Sequence, residues 1–459
     1  MEMSGKKNLH KYEIDMINGS LMPKLVTFFV PLMLSSALQL LFNAVDLMVV
    51  GKWAGSDALA AVGATTALIN MFSNMMMGIA MGSNVVVARF IALEDKKNVS
   101  ESVHTSVVLA LILGFLVMVL GLVFSRGCLA LMGTPDNVLD QSVLYMRIYF
   151  CGVPFFALYN YGAAILRAAG DTRRPLFYLI FSGILNAVLN MILVIAFHLD
   201  VAGVAIATVF SQMISCILVL RCVMNTSEMY KVSLNKLHIN GRILKQIFAI
   251  GVPTGIQSTV INFSNVLLQS SVNSFGSTAM AGYTAANNFL GLMYASVNSV
   301  TQACMSFTSQ NYAVGRFDRV RKILRDCLLI EFVLSMVIGG AVYIFAGQIL
   351  KIYTNSGEVI RCGVQIFNYT TVTYFLCGFM DCIPGALRGL GHSAVPMLLA
   401  IIGTVGSRVV WIFFLFPDNR TLDFLFISYP VSWGATVVLQ AVCLVIVFKK
   451  LGIRRKELN

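Results

Sequence analysis

An acidic side chain, Asp46, lies within an apolar stretch of the sequence that runs from residue 25 to residue 50. A charged side chain in the middle of a membrane helix costs about 2.5–3.5 kcal/mol on insertion scales. An acid that persists there therefore usually faces water, a partner or a substrate. The alternative is that Asp46 lies close enough to the outer end of its helix to reach the lipid headgroups. We interpret Asp46 as a candidate cation-binding group.

Three polar residues in later apolar stretches lie at a similar depth. Asn190 lies about eight residues from the outer end of its predicted helix, and Thr208 lies about seven residues into the next one. With a rise of about 1.5 Å per residue, Asp46, Asn190 and Thr208 lie roughly 7–12 Å below the outer surface. Asn186 lies one turn deeper, on the same helix face as Asn190. The spacing therefore allows these four polar groups to meet inside the N-terminal half of the chain.

Three further ionisable residues, Glu331, Asp381 and Arg408, lie in apolar stretches of the second half. Two interpretations are open. In the first, Arg408 forms a structural ion pair with Asp381 or Glu331. In the second, Asp381 lines a cavity and attracts cationic substrates.

Several amide side chains in the predicted helices are candidates for lining a substrate cavity. Amides in membrane helices either face such a cavity or hydrogen-bond to a neighbouring helix, and the sequence leaves both interpretations open. These residues are Gln39, Asn43, Asn160, Gln257, Asn262 and Asn265.

The composition places all of these residues in a membrane protein. The chain has 459 residues, of which 58% are hydrophobic and 12% are charged, whereas a typical soluble protein has about 25% charged residues. A membrane helix needs roughly 20 mostly apolar residues, and the apolar runs here are continuous rather than alternating. We therefore predict an all-α membrane protein with twelve spans. The predicted spans are 25–50, 58–81, 103–124, 149–169, 176–198, 201–222, 248–275, 279–308, 324–346, 364–387, 395–417 and 424–448.

The net charge of +12 would suggest a nucleic-acid partner for a soluble protein, but the positions of the charges argue against one. With the N-terminus in the cytoplasm, 26 of the 33 Lys and Arg residues fall on the cytoplasmic side, six fall outside and Arg408 falls within a span. Such a bias is typical of multi-pass membrane proteins and sets their orientation. We predict a protein of the cytoplasmic (inner) membrane with both termini in the cytoplasm and no nucleic-acid partner.

The ten cysteines are scattered, mostly within apolar stretches, with no Cys-x-x-Cys pair and no metal-ligand spacing. Buried thiols of this kind usually pack as small hydrophobic side chains. The sequence therefore indicates no firm metal site.

An internal repeat divides the chain into two similar halves. The segment Leu166–Gly170, followed by Pro175, recurs 221 residues later as Leu387–Gly391, followed by Pro396. Further pairs of identical residues recur at a spacing of 221 or 222 residues, so the repeat is not a chance match. Each half holds six spans, so both halves enter from the cytoplasm, which predicts a parallel repeat about an axis along the membrane normal, with a cavity between the halves. The further pairs are Gly55–Ser56 with Gly276–Ser277, Ala92 with Ala313, Val99 with Val320, Pro31 with Pro253, and Asn43 with Asn265.

The spans and the repeat together predict five segments. They are a cytoplasmic N-terminal segment 1–24, an N-lobe 25–222 with helices 1–6, a cytoplasmic linker 223–247, a C-lobe 248–448 with helices 7–12, and a cytoplasmic basic tail 449–459.

Motifs along most of the chain resemble those of the multidrug and toxic compound extrusion (MATE) family, bacterial type. The resemblance implies a V-shaped bundle of twelve helices in two pseudo-symmetric lobes, which exports drugs as proton or sodium ions enter. We expect a monomer in the lipid bilayer with no cofactor. The motifs are Pro31 with Phe42-Asn43-x-Val45-Asp46, Val50-Gly51, Ala58–Gly63, Tyr149-Phe150-x-Gly152-x-Pro154, Leu166-Arg167-x2-Gly170-Asp171-x2-Arg174-Pro175 and Leu387-Arg388-Gly389-x-Gly391.

The resemblance also implies roles for particular residues. It maps the cation-coupling site of the family onto Asp46, Asn186, Asn190 and Thr208. It also suggests that Pro31 is a hinge whose bending responds to the charge on Asp46, although a static kink fits the sequence equally well.

The chain departs from the family pattern at Asn190, where relatives often carry a second carboxylate. Burial of the lone Asp46 carboxylate is costly, and a proton would neutralise it. Sodium is the alternative, since the carboxylate, amide and hydroxyl oxygens are hard ligands, but they carry only one charge. The sequence therefore favours proton coupling over sodium coupling without deciding between them.

The resulting functional hypothesis is an antiporter that exports small cationic organic compounds by alternating access. A flippase for lipid-linked saccharides, from the wider superfamily with this fold, is the alternative. An enzyme is not expected, because the chain has no His-Glu-x-x-His, no Gly-x-Ser-x-Gly and no phosphate-binding glycine loop.

Overall fold

The computed structural model describes residues 12–452 of the chain, and nearly all of them are helical. The boundary between its two compact units lies between Ile247 and Phe248. Part of the predicted cytoplasmic charge lies outside the described residues. These positions are Lys6, Lys7 and Lys11 in the predicted N-terminal segment and Arg454, Arg455 and Lys456 in the predicted tail.

The first unit contains six long helices. Two of them continue into π-helical turns, Val50–Ala54 after α1 and Met191–Ala196 after α5. The helices are α1 Leu21–Val49, α2 Ser56–Ala92, α3 Lys96–Leu131, α4 Asp136–Ala168, α5 Arg173–Asn190 and α6 Asp200–Met224.

The second unit begins within α7 and is more interrupted. Its predicted eleventh span is a chain of short helical and π-helical pieces from Ala394 to Leu415. The helices are α7 Gly241–Asn273, α8 Ser277–Ala313, α9 Phe317–Ile344, α10 Ala346–Leu350, α11 Gly357–Thr370, α12 Tyr374–Gly389, α13 Ala394–Ala400, α14 Ser407–Val410 and α15 Leu422–Lys450.

Nine helical segments within residues 12–452 are long and apolar enough to cross a membrane by length and composition. The predicted spans 248–275, 279–308 and 364–387 fall on α7, α8 and the α11–α12 pair, which are not among the nine. α7 and α8 are less apolar because they carry many amide and hydroxyl side chains. α11 and α12 have only 14 and 16 residues because the chain turns between them. Together with the nine, these helices occupy the twelve predicted spans.

The repeated Leu-Arg motif forms the same helix end in both units. Gly170 and Gly391 follow α4 and α12 with φ angles of +95° and +92°, a conformation that glycine adopts without steric cost. The amide that follows each glycine donates to the carbonyl of the motif leucine, at 2.9 Å for Leu166 and 2.8 Å for Leu387. This pattern is a Schellman motif, in which the glycine closes the last helical turn. The sequence repeat therefore encodes a repeated helix end.

Gly183 on α5 allows α1 to approach very closely. A Cβ atom at Gly183 would lie 1.8 Å from the Cε2 atom of the Phe42 ring on α1. Phe42 lies one turn before Asp46, and Gly183 lies about two turns before Asn190 on its helix. The missing side chain therefore lets the two helices that carry these polar residues pack together.

The segment between α6 and α7 is held against the N-terminal end of α3. The His238 Nε2 atom lies 2.6 Å from the Glu101 carboxylate, and the Asn240 side chain donates to the same carboxylate at 3.1 Å. The backbone N–H of Ser233 donates to the Nε2 atom of His104 at 3.0 Å. These contacts hold residues 233–240 against α3 within the first unit.

Replacing Gly183 by Ala is expected to lower the midpoint of thermal unfolding of the purified protein. The added methyl group would overlap the Phe42 ring, and overpacking typically costs about 1–3 kcal/mol. The matched control is Gly127→Ala in α3, where nothing lies within 4 Å of an added Cβ atom. A midpoint for Gly183→Ala that equals or exceeds that of the control would contradict the close packing of α1 and α5.

The docked connection is expected to loosen as the pH rises. The carbonyl oxygen of Lys236 and the carboxylate of Glu101 raise the pKa of His238 above its ordinary value of 6.5. A contact that raises a histidine pKa stabilises the docked state fully below the ordinary value and is lost as the pH rises through the raised value. Amides 233–240 should therefore exchange hydrogen faster above pH 6.5, after correction for the intrinsic rate. His238→Gln does not titrate and should lack this pH dependence; identical profiles for both proteins would refute the expectation.

Candidate ion-binding site

The four polar residues predicted to meet in the N-terminal half do lie together in the structure. The Nδ2 atom of Asn190 donates a short hydrogen bond to Oδ1 of Asp46 and lies 3.3 Å from Oδ1 of Asn186. The Nδ2 atom of Asn186 lies 3.4 Å from the Thr208 hydroxyl oxygen. The Thr208 hydroxyl also interacts with the Asp46 carboxyl group. α1, α5 and α6 therefore each contribute to one hydrogen-bonded network.

The network is enclosed but not sealed. Asn190 is completely buried and Asn186 is 5% exposed, whereas Asp46 and Thr208 are only half-buried. The Oδ1 atom of Asn190 is buried without a hydrogen-bond partner among the described residues. A buried acceptor of this kind costs free energy unless a donor or a cation occupies the place beside it. The site thus offers a carboxylate, an amide oxygen and a hydroxyl to a proton or a small hard cation.

A hydrophobic cluster covers the network one turn further along its helices. Val49 follows Asp46 by three residues on α1, and Val194 follows Asn190 by four residues. These two side chains pack in one buried cluster with Tyr145 of α4. Apolar neighbours strengthen electrostatic contacts beside them because they exclude water.

Two tyrosines of α4, for which the sequence predicted no role, belong to this environment. Both Tyr145 and Tyr149 interact electrostatically with the Asp46 carboxyl group. Their rings stack with centroids 6.3 Å apart. Tyr149 opens the Tyr-Phe-x-Gly motif noted above, which is the signal that points to this position.

α1 is a continuous helix from Leu21 to Val49 that contains Pro31. Pro31 is buried, and its carbonyl oxygen accepts a hydrogen bond of 2.8 Å from the Ser35 hydroxyl. Beyond the site residues, α1 and α5 both change to π-helical turns, after Val49 and directly after Asn190. Such turns are frequent at functional sites because they shift the register of a helix. The sequence did not predict them.

The amide residues proposed for a substrate cavity have different surroundings. Gln39, Asn43 and Asn262 are exposed, and the side chain of Asn262 donates to the carbonyl of Ser258, one turn earlier on the same helix. Asn160 is 9% exposed and donates to the carbonyl of Phe156 at 2.8 Å. A role of these four residues in binding substrate stays a prediction.

Gln257 and Asn265 instead hold arginines of other helices. The Oε1 atom of Gln257 accepts from Nη2 of Arg388 at 2.8 Å, and the Oδ1 atom of Asn265 accepts from Nη1 of Arg408 at 2.7 Å. Both contacts join α7 to a helix later in the second unit. For these two residues, the helix-bridging interpretation describes the observed contacts.

The interpretation in which Arg408 forms an ion pair with Asp381 or Glu331 is not the arrangement that the structure shows. Within residues 12–452, the guanidinium of Arg408 has only neutral partners. It donates to Asn265 and, at 3.3 Å each, to the hydroxyls of Ser264 and Ser432. It also lies over the Tyr429 ring, 4.9 Å from the centroid. Several neutral oxygens and an aromatic face replace the hydration shell of the cation, so no carboxylate is required.

The two acids, Asp381 and Glu331, interact electrostatically but differ in burial and in their other contacts. Asp381 is half-buried and interacts electrostatically with Tyr294 and Arg388. Glu331 is fully buried, and neither of its carboxyl oxygens has a hydrogen-bond partner among the described residues. The side chain of Tyr294 is 45% exposed. Contact of Asp381 with a substrate stays a prediction.

Both halves of the chain match one protein-family model. The model of the MatE family matches residues 31–192 and 253–414 of this chain. The two matched segments begin 222 residues apart, which agrees with the internal repeat read from the sequence.

Curated relatives are similar over most of their length. The chain is 28% identical to the probable multidrug resistance protein YoeA of Bacillus subtilis, over 93% of this chain and 94% of the relative. It is 20% identical to the multidrug export protein MepA of Staphylococcus aureus, over 84% of this chain and 85% of the relative.

Solved structures share the fold. The crystal structure of MATE in the straight conformation has a TM-score of 0.90 and 20% identity, covering 97% of this chain and all of that chain. The structure of MATE in the bent conformation has a TM-score of 0.82 and 21% identity, covering 94% and 95%. The predicted all-helical membrane fold with two lobes is confirmed. Since the family model matches both halves, the chain belongs to the MatE family and is a membrane transporter, not an enzyme.

Proposed function

We propose that this transporter exports small, mainly cationic organic compounds by alternating access, in exchange for protons that bind at Asp46. The observation that carries the proposal is the enclosed hydrogen-bonded network of Asp46, Asn190, Asn186 and Thr208. The printed names of the relatives, which concern multidrug resistance and export, support organic compounds as the cargo class. The half-buried Asp381 supports a preference for cations.

The unpartnered oxygen of Asn190 gives the proton a specific place in this scheme. An ionised Asp46 only accepts hydrogen bonds, as it does from Asn190. A protonated Asp46 has an O–H group that must donate, and the buried Oδ1 atom of Asn190 lacks a donor. Proton uptake therefore reverses one hydrogen bond between α1 and α5. This reversal couples the charge on Asp46 to the position of α1, for which Pro31 is the proposed hinge.

We further propose how the protein lies in the membrane. The bias of Lys and Arg supports a multi-pass protein of the cytoplasmic membrane with both termini inside the cell. The N-lobe 25–222 and the C-lobe 248–448 then act as the two moving parts of a monomer, joined by the linker 223–247.

Asp46→Asn is expected to abolish gradient-driven export while substrate binding stays within about twofold, because an amide cannot take up the proton. The measurement is efflux of a fluorescent dye cation from proteoliposomes under an imposed proton gradient, beside equilibrium binding of the same dye. The matched control is Asp57→Asn, which neutralises an exposed acid at the start of α2. Gradient-driven efflux retained by Asp46→Asn would rule out Asp46 as the coupling residue.

Asn190→Asp is expected to shift the coupling preference from protons towards sodium. A second carboxylate beside Asp46 doubles the negative charge that faces a bound cation, and hard cations are held mainly by charge. Efflux is measured under separately imposed proton and sodium gradients. The control Asn84→Asp adds a buried acid to the same unit, on α2, at a residue whose side chain donates to the carbonyl of Ala164. An unchanged ratio of sodium-driven to proton-driven efflux, or an equal change in the control, would count against the proposed site.

A further inference from the structure

Three cysteines that are far apart in the sequence converge in the second unit. Cys304 of α8, Cys327 of α9 and Cys382 of α12 have sulfur atoms that all lie within 4.8 Å of one another. All three residues are completely buried, and none forms a disulfide. Each of the three helices thus supplies one thiol to a common point.

The separation of the sulfur atoms suits a single metal ion. With a metal–sulfur bond of about 2.3 Å, three sulfurs around one zinc ion lie about 4 Å apart. The observed upper limit of 4.8 Å requires each thiol to move by less than about 1 Å, which rotation about a cysteine side-chain bond can supply. Three thiols that merely fill space have no need to point their sulfurs at one another.

A neighbouring acid distinguishes this cluster from ordinary packing. Glu331 lies one turn after Cys327 on α9, is completely buried and has two carboxyl oxygens without a hydrogen-bond partner in the described part of the chain. Its Oε2 atom would lie 2.7 Å from a Cβ atom added at Gly378, one turn before Cys382 on α12. The carboxyl group interacts electrostatically with both Cys304 and Cys327.

The unpartnered carboxyl group itself points to a ligand. A buried carboxyl group without a partner is costly, and a bound metal ion would provide that partner.

We propose that Cys304, Cys327 and Cys382 bind one soft divalent metal ion of the zinc and cadmium class, beside the buried carboxyl group of Glu331. Thiolate sulfur selects such ions over sodium, magnesium and calcium. Binding forms three metal–sulfur bonds and breaks three S–H bonds; three protons leave for solvent, and no electron is transferred. The site joins α8, α9 and α12 and is independent of the proposed export activity.

The first test measures the metal content of the whole protein. Protein from cells grown with added zinc, purified in detergent without chelator, should contain about one zinc ion per chain by mass spectrometry. Cadmium-grown protein should show the ultraviolet absorption of sulfur-to-cadmium charge transfer. Cys304→Ala, Cys327→Ala and Cys382→Ala should each lower the metal content at least about tenfold. Glu331→Gln should weaken binding but keep the sulfur–cadmium band.

Matched controls and a second readout keep the test decisive. Cys216→Ala and Cys443→Ala remove other buried cysteines, in α6 and α15, and should keep the full metal content. In the wild-type protein, metal loading should protect three of the ten cysteines from alkylation in mild denaturant. The proposal is overturned if the wild-type protein binds neither metal, if the controls lose metal equally, or if loading protects no thiols.

Discussion

The central constraint on this protein is that polar groups inside a bilayer must find their partners within the chain. The contact between Asn190 and Asp46 meets this constraint for the acid of α1. It also leaves one oxygen of Asn190 unsatisfied. The amide N–H of Asn190 therefore partners the acid, while the amide oxygen has no donor within the described residues. Close packing at Gly183 is what makes the contact geometrically available.

The two units use one backbone plan for different chemistry. Both end a helix with a Leu-Arg segment and a glycine of positive φ, at Gly170 and Gly391. Their buried charges differ: the first unit surrounds an acid with amides and a hydroxyl, whereas the second surrounds Arg408 with Asn265, two serines and a tyrosine ring. Helix ends depend on local backbone conformation, which a duplicated sequence preserves. The chemistry of each buried site depends on a few side chains that diverge independently.

Neutral oxygens explain why charge alone is a poor guide to pairing in such a chain. Arg408 and Asp381 are both buried or half-buried in the second unit, and opposite charges invite the assumption of an ion pair. The guanidinium has five N–H donors in a fixed plane, so several amide and hydroxyl acceptors satisfy it as well as one carboxylate. The sequence carries no information about which of these acceptors faces Arg408, because they lie on α7 and α15, far from it along the chain.

The sequence alone determined the membrane class, the helical content, the duplication and the level at which Asp46, Asn190 and Thr208 meet. Each of these follows from hydropathy, a repeat offset or helical rise, which are local quantities. Only the tertiary structure decided the partners of Arg408, the two tyrosines beside Asp46, the π-helical turns after α1 and α5, and the convergence of Cys304, Cys327 and Cys382. These depend on how helices rotate and pack against one another, and residue spacing along a single helix does not specify that rotation.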